Sequence, residues 1–522
     1  MGHFVVKENY MKLKKNYFLL LHDNWNDYWK YETTYILYYF PNDYSEVFFG
    51  EVKIGDIDLD EDIERRTPNL PDTFDTLDTG FFSVGQDPDY YKKIYNYLDK
   101  MPINPFEALN DIAYNLELLD LYINKEVLRI SLLRNISLTM IKRQFARICH
   151  GGAVLTPFEF TYVYDKNYKD KNFGQNYMNF DVVVDSTPST NIHVLIGRNG
   201  VGKSKLFQNM ISLYLENNQG HAYFLNESGE IIHPSEIFPN LIYTGYSAFD
   251  NCEKIKNYNN QQGDKRYTYL GLRKYRKDYD QDSQLSTDLY TNKDLNDLAN
   301  EFVDSLFNCM GSKVKIDRLK KSLEILESDP IFKHAQIHEI IDISMSVEER
   351  DKKKQFYKTK LSSGHGIILL TITKLVETIE EKTLVLLDEP ETHLHPPLVS
   401  SFIRCLSELL MSTNAVAIIA THSPIILQEV PKNCVWILDR SGWNCSISRP
   451  RFETFGESYN NLVEEVFGLE IQKSGFHKMI ADEVDKLNNY DELIEKFGNQ
   501  LGGDADIIAR TLFLQKEDNN EA

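Results

Sequence analysis

Two hydrophobic patterns alternate along the chain, and they divide it into strands and helices. The runs Thr33–Phe40 (TTYILYYF) and Val47–Ile54 (VFFGEVKI) are rich in β-branched and aromatic residues. With Pro41-Asn42-Asp43 breaking them apart, they predict a pair of strands. Ala108–Leu121 and Leu128–Phe145 instead space apolar residues by three and four, which predicts helices with one buried face. From Phe158 to Asp185, the extended stretches FEFTYVY and FDVVVD flank a polar segment, DKNYKDKNFGQN. The string NIHVLIGRNGVGKSKLFQNMISLYL then reads as strand, glycine loop and helix. Further on, Thr383–Leu387 (TLVLL) and Ala415–Ala420 (AVAIIA) are continuously apolar and separated by a helical stretch. Such strands belong in a parallel sheet covered on both faces.

Between Asn251 and Lys360 the chain turns polar before a helix is expected near Thr291, where Thr291 and Asp294 have capping-box spacing. Leu295, Leu298, Phe302 and Leu306 fall on one face of it, and a second helix is expected over Leu319–Leu326. This predicts a helical insertion, and the pattern leaves open whether it recognises anything. The tail Gln515–Ala522 is polar and is expected to fray. The resulting partition is a mixed α/β region over 1–154, a first lobe segment over 155–272, the insertion over 273–360, a second lobe segment over 361–450 and a helical region over 451–522. The fold class is α/β, with a mostly parallel sheet and antiparallel β elements.

At 522 residues the chain exceeds one ordinary domain, and 42% hydrophobic with 12% aromatic residues suits a folded protein rather than a disordered one. The formal charge of −21 disfavours a surface wholly given to nucleic acid or anionic membrane. The six cysteines form no CxxC pair or disulfide framework, and no apolar run is long enough to span a bilayer. Together with the lack of a cleavage site after the short N-terminal apolar run, this predicts a cytoplasmic protein away from membranes.

Candidate chemistry concentrates in four places. Gly197-Arg198-Asn199-Gly200-Val201-Gly202-Lys203-Ser204 matches GxxxxGK[ST] between an apolar strand and a helix, where backbone N–H groups and the helix N-terminus can wrap phosphates. Lys203 suits the β- and γ-phosphates of ATP, and Ser204 suits Mg²⁺. The strand Thr383–Leu387 delivers Asp388 and Glu389 at its C-terminal edge, where ligands bind in open α/β sheets. Asp388 fits a magnesium role and Glu389 the base that polarises the attacking water. Taken alone, two adjacent acids are equally consistent with a solvated turn. Leu361-Ser362-Ser363-Gly364-His365 precedes the acidic strand, with donors from Ser362 and from the backbone of Ser363 and Gly364 at a helix N-terminus. His422, in Thr421-His422-Ser423-Pro424, closes the second strand, where a histidine can bond a γ-phosphate and sense its loss.

These strings carry a resemblance. Leu361–His365 resembles the LSGGQ signature of ABC ATPases, with serine for the first glycine and His365 for glutamine, while LDEPETHLHP (Leu387–Pro396) and IIATHSP (Ile418–Pro424) resemble the heads of SMC proteins, OLD nucleases and phage-defence ATPases. The resemblance implies an ABC-type P-loop ATPase head that closes as a dimer, each γ-phosphate meeting the signature of the opposite subunit. Shorter strings, among them NWNDYWKYETTYILYY (Asn24–Tyr39), GEVKIG (Gly50–Gly55), YSAFD (Tyr246–Asp250), YLGLR (Tyr269–Arg273) and FETFGES (Phe452–Ser458), look like the PtuA ATPase subunit of Septu and retron-linked antiphage systems. That likeness implies an HNH nuclease subunit as partner, and a reverse transcriptase with its RNA/DNA element as a further companion. YSAFD stands where ABC proteins usually carry a magnesium-contacting glutamine.

Two other readings have specific markers. An OLD-type nuclease acting on nucleic acid itself needs a metal-binding domain with DxD on a strand end, for which Asp504-Ala505-Asp506 is the candidate. An SMC-like DNA repair ATPase needs a long coiled coil, and no sustained heptads appear. Arg273–Lys277 and Arg350–Lys360 are basic stretches in an acidic chain, open to phosphate contact or simple solvation. Arg143 and His150 are read as helix residues.

Overall fold

The computed structural model describes residues 2–521 apart from 24–29, 43, 61–64, 153, 165–175, 216–221, 247–257, 260–265, 280–285, 336, 338–346, 442–443 and 472–474. The segment DKNYKDKNFGQN and the Ser247–Asp250 part of YSAFD therefore lie almost wholly outside the described residues.

The central sheet has eight strands in the order Tyr258–Asn259, Arg266–Gly271, Asn240–Gly245, Leu384–Asp388, Val416–Thr421, Ile192–Gly197, Val435–Ser441 and Asn444–Ser448. Its inner pairings are parallel and the two outermost are antiparallel. The four strands at its centre are buried at every residue, which is why they read as unbroken apolar runs.

Alternate side chains serve opposite cores. Val194, Ile196, Val385, Leu387, Ala417 and Ile419 join the helices Leu295–Met310, Lys313–Leu326, Ser363–Thr378 and Pro396–Thr413 on one face. Leu195, Leu384, Leu386, Val416 and Ile418 face the glycine-loop helix Lys203–Leu215 and a four-stranded sheet containing Phe158–Val163 and Tyr177–Val182. The architecture is a P-loop type α/β fold, with a mostly parallel sheet, antiparallel β elements, an insertion and a mixed N-terminal region.

The N-terminal region is a six-stranded sheet backed by helices. Its strands Thr34–Asn42 and Ser45–Asp56 pair antiparallel, over the two segments expected. The helices there depart from expectation. Ala108–Leu121 divides into Pro105–Ala108 and Leu116–Tyr122. Asn110 takes a left-handed conformation (φ 52°), and its amide donates to the carbonyls of Leu77, Asp78 and Phe81. Leu128–Phe145 is likewise interrupted, restarting at Leu138 with Ser137 as N-cap. The apolar spacing was correct, but local caps tie the chain to the sheet between turns.

This region is fastened to the ATPase lobe just before the acidic strand. The Ser137 hydroxyl and Arg266 both bond Glu380, the latter at 2.9 Å, and Arg147 pairs with Glu381 at 2.8 Å. Arg143 donates to the carbonyl of Glu236, and His150 stacks on Tyr114. Arg143 is a helix residue as expected, whereas His150 is the C-cap that ends the helix Ala146–Cys149.

The insertion is not purely helical. It opens with a hairpin, Arg273–Tyr279 against Ser286–Asn292, whose polar strands gave no apolar alternation to read. The following helix is capped by Asp294 with Asp297 as its reciprocal partner, three residues later than the Thr291–Asp294 box expected. In the C-terminal region, the last helix runs Gly503–Glu521 through the tail expected to fray. Ala509 and Phe513 bury against Ile480, Val484 and Leu493, and the Lys516 ammonium donates to the carbonyls of Val484, Asp485 and Leu487. Asp504 and Asp506 occupy the first turn of that helix rather than a strand end, so the DxD placement needed for a nuclease domain does not occur. Among the described residues no helix is long and apolar enough to cross a membrane.

Candidate nucleotide-binding site

Register brings the candidate residues together. Ile196 pairs with Thr421, and Ala420 with Asp388, so the strands ending in Gly197, Thr421 and Asp388 finish side by side at one sheet edge. The glycine loop, His422 and Glu389 all leave from that edge.

In the loop, Gly200 (φ 81°) and Gly202 (φ 109°) hold backbone conformations that favour glycine, and a Cβ on either would meet only open space. The loop thus leaves room beside both glycines. Gly197 is glycine for packing, since a Cβ there would lie 2.3 Å from the Leu438 carbonyl oxygen. Arg198 and Asn199 lie along the loop, while Val201 turns its side chain into the core. Lys203 is buried, and its ammonium donates to the carbonyls of Gly197 (2.8 Å) and Arg198 (3.1 Å). An ammonium has three donors, so those two bonds fix its position and leave one. Burial pulls the Lys203 ammonium below the usual lysine range, against the opposing pull of Glu389, Asp388 and Glu391.

Asp388 is buried at this edge. Burial raises its carboxyl to about 6, with Glu389 adding to the effect and Ser204, Lys203 and Tyr243 opposing it. One carboxylate oxygen lies 3.4 Å from the Tyr243 hydroxyl, while the other, Oδ1, is buried and has no hydrogen-bond partner among the described residues. A buried oxygen without a partner is costly unless something binds it. Ser204 and Asp388, neighbours beside Lys203, form the oxygen pair that a magnesium ion with its water shell fits.

Glu389 has a left-handed backbone (φ 47°, ψ 56°), and its N–H bonds the Ala420 carbonyl at 2.8 Å. His422 Nδ1 lies 3.6 Å from Glu389 and 3.5 Å from Glu391. The His422 ring beside it holds the Glu389 carboxyl below its ordinary range, and reciprocally Glu389 raises the His422 ring. Glu391, not singled out by sequence, organises this corner. Its Oε1 accepts from the Thr421 hydroxyl and from the His422 backbone N–H at 3.1 Å, and Oε2 is buried without a partner among the described residues. Its position two residues beyond Glu389 was the available signal.

The signature forms a second cluster. Ser362 caps the helix Ser363–Thr378, and a Cβ on Gly364 would lie 2.4 Å from the His393 carbonyl oxygen. The start of this helix therefore sits directly on the loop that follows Glu389. Ser362 and Ser363 are exposed.

The chain is 35% identical over 527 residues to Protein ea59 of Escherichia phage lambda, a match that covers 97% of this chain and 96% of that one. The chain belongs to the ea59 family. Residues 255–428 also match the family described as "AAA domain, putative AbiEii toxin, Type IV TA system". That match takes in the signature, the acidic strand and His422, and begins beyond the glycine loop. Among solved structures, an ATP-binding cassette of an ABC transporter in its ADP conformation aligns at 16% identity and TM-score 0.29, covering 61% of this chain and all of that one. The SMC head domain from Thermotoga maritima aligns at 12% identity and TM-score 0.25, covering 57% of this chain and all of that one. In the ea59-family chain described above, the strand-end arrangement is thus combined with a sequence match to AAA-type ATPases.

Proposed function

We propose that this chain binds and hydrolyses ATP as a dimer, with two nucleotides held between two copies. Gly197, Arg198, Asn199, Gly200, Val201, Gly202, Lys203 and Ser204 hold the phosphates, chiefly through backbone N–H groups. Ser204 and Asp388 hold Mg²⁺, which when bound neutralises charge on the β- and γ-phosphates. Glu389 orients the attacking water and takes its proton on a carboxylate oxygen. His422, kept in place by Glu391 through its backbone and by Glu389 through its ring, reports on the γ-phosphate. Ser362, Ser363 and Gly364 serve the nucleotide of the other copy. The observation that carries this reading is the buried Oδ1 of Asp388, without a hydrogen-bond partner among the described residues, beside Ser204 and Lys203 at the edge where three loops converge.

The finer reading comes from the resemblance to antiphage ATPase subunits. In it, the ATP-bound assembly restrains an associated HNH nuclease, with a reverse transcriptase element as further companion. A family member carried by a phage is consistent with a role in conflict between phage and host. The helical placement of Asp504 and Asp506 speaks against the chain cutting nucleic acid itself.

Light scattering with and without ATP and Mg²⁺, on the natural chain and on Glu389→Gln, tests the proposal. A shift to dimer or higher on adding nucleotide, persistent in Glu389→Gln and lost in Lys203→Ala, is expected. A mass indifferent to nucleotide in all three would overturn it.

A further inference from the structure

Ser362, which caps the signature helix, is joined to a buried relay. Its Oγ lies 2.6 Å from Nδ1 of His365, and Nε2 of that ring lies 3.1 Å from Oδ1 of Asp329. His365 and Asp329 are both buried, whereas Ser362 faces solvent. Asp329 comes from the insertion, where it caps the helix Pro330–His334 and accepts from the N–H groups of Ile331 and Phe332. Its second oxygen faces Nε2 of His395 at 3.5 Å. Phe332 covers the His365 ring, with centroids 4.9 Å apart. Among the described residues, the titratable groups facing His365 are therefore Asp329 and, across 6.3 Å between ring centres, His395.

The bonding order in this relay follows from donor and acceptor counts. Burial pushes the Asp329 carboxyl up, but the bonds from His365, Ile331 and Phe332 outweigh it and hold it below the ordinary range. The carboxylate is therefore ionised at neutral pH and only accepts. Nε2 of His365 consequently carries a proton. In the neutral ring Nδ1 is bare and accepts the Ser362 hydroxyl proton, so Ser362, whose Oγ also accepts from the His365 N–H, turns its remaining lone pair outwards, towards where a phosphate would come. In the doubly protonated ring Nδ1–H donates to Ser362 Oγ, and the hydroxyl proton is free to point outwards.

We infer that His365 and Asp329 are positioning residues that couple contact between Ser362 and a γ-phosphate oxygen to uptake of one proton from solvent at His365 Nδ1. Falling pH then favours closure of the ATP-bound dimer. The inference rests on the ATP-bound dimer proposed above and adds its regulation. Glutamine in place of His365 donates an amide N–H to Ser362 at any pH, so it preserves the contact and removes the proton.

The test measures the dimer dissociation constant of the ATP-loaded Glu389→Gln chain by analytical ultracentrifugation between pH 6 and 8.5. Each signature contact contributes up to about tenfold per pH unit. Adding His365→Gln is expected to keep the dimer and flatten the profile by that amount, His365→Ala to weaken the dimer at every pH, and Asp329→Asn to move the profile to lower pH. His422 and Asp388 titrate alike in all of these backgrounds, so their part cancels. Calorimetry of dimer closure in buffers of different ionisation enthalpy counts protons on the unsubstituted relay, and uptake is expected. An unchanged profile in His365→Gln, or no proton uptake, overturns the relay while leaving the ATP dimer standing. Absence of an ATP-dependent dimer at every pH overturns both.

Discussion

Replacing Asp388 by Asn should make the nucleotide-free protein more stable, because the site holds an acid where burial disfavours its charge. The carboxyl is raised from 3.8 to about 6, mainly by burial. Between those values the folded state binds more protons than the unfolded state, so stability falls as pH rises through that window. Above about 6 the full penalty is present. A shift of about two units at 1.36 kcal/mol per unit amounts to about 3 kcal/mol. Asn has nearly the same shape, still accepts from Ser204 and Tyr243 through its carbonyl oxygen, and carries no charge. At pH 7.5 Asp388→Asn should gain about 2–3 kcal/mol, and at pH 4 almost nothing. If the ATPase lobe unfolds as a unit of roughly 300 residues, at ~2.1 cal/mol/K per residue, the melting temperature rises by about 4 °C. Differential scanning calorimetry at both pH values reads this directly. With Mg²⁺ and ATP present the order should reverse, since the natural chain gains from binding and the variant does not. Equal melting temperatures at pH 7.5 without nucleotide, or an equal gain at pH 4, would refute the reasoning.

Gly364→Ala places a Cβ 2.4 Å from the His393 carbonyl oxygen, and overpacking of this kind costs about 1–3 kcal/mol. It should abolish nucleotide-dependent dimerisation in light scattering, with nucleotide binding retained. Glu391→Ala leaves the Thr421 hydroxyl and the His422 N–H without their acceptor, at about 1–3 kcal/mol. Single-turnover hydrolysis should slow while ATP affinity, by fluorescence titration, stays near the natural value. The His422 ring, raised chiefly by Glu389, should titrate above 6.5 by NMR with labelled histidine, and its midpoint should fall in Glu389→Gln. Phe513→Ala removes the largest buried side chain of the C-terminal helical core, at about 3–5 kcal/mol, and should raise hydrogen exchange in Gly475–Val484 without altering ATP binding.

The sheet was legible because its strands are buried on both faces, which writes an unbroken apolar run into Leu384–Asp388 and Val416–Thr421. The glycine loop was legible because spacing, strand and helix coincide. The hairpin Arg273–Tyr279 with Ser286–Asn292 was not, because its residues are polar and give no apolar alternation. The N-terminal helices were legible as apolar faces but not as interrupted ones, since the breaks come from caps such as Asn110, whose partners are about thirty residues away in sequence. Asp329 was not singled out in the sequence. Its bond to His365 spans 36 residues, and nothing local announces a contact of that range.

Glu389 sits in a backbone conformation that side chains other than glycine and asparagine adopt reluctantly, at a cost of about 1–3 kcal/mol. A laboratory search for thermostable versions of this protein would therefore be drawn to that position, where glycine relieves the strain and loses the carboxylate together. On the proposed role of Glu389, the most heat-resistant descendants would be recovered as folded chains that no longer hydrolyse ATP. A screen that reads temperature alone would point to this acid by discarding it.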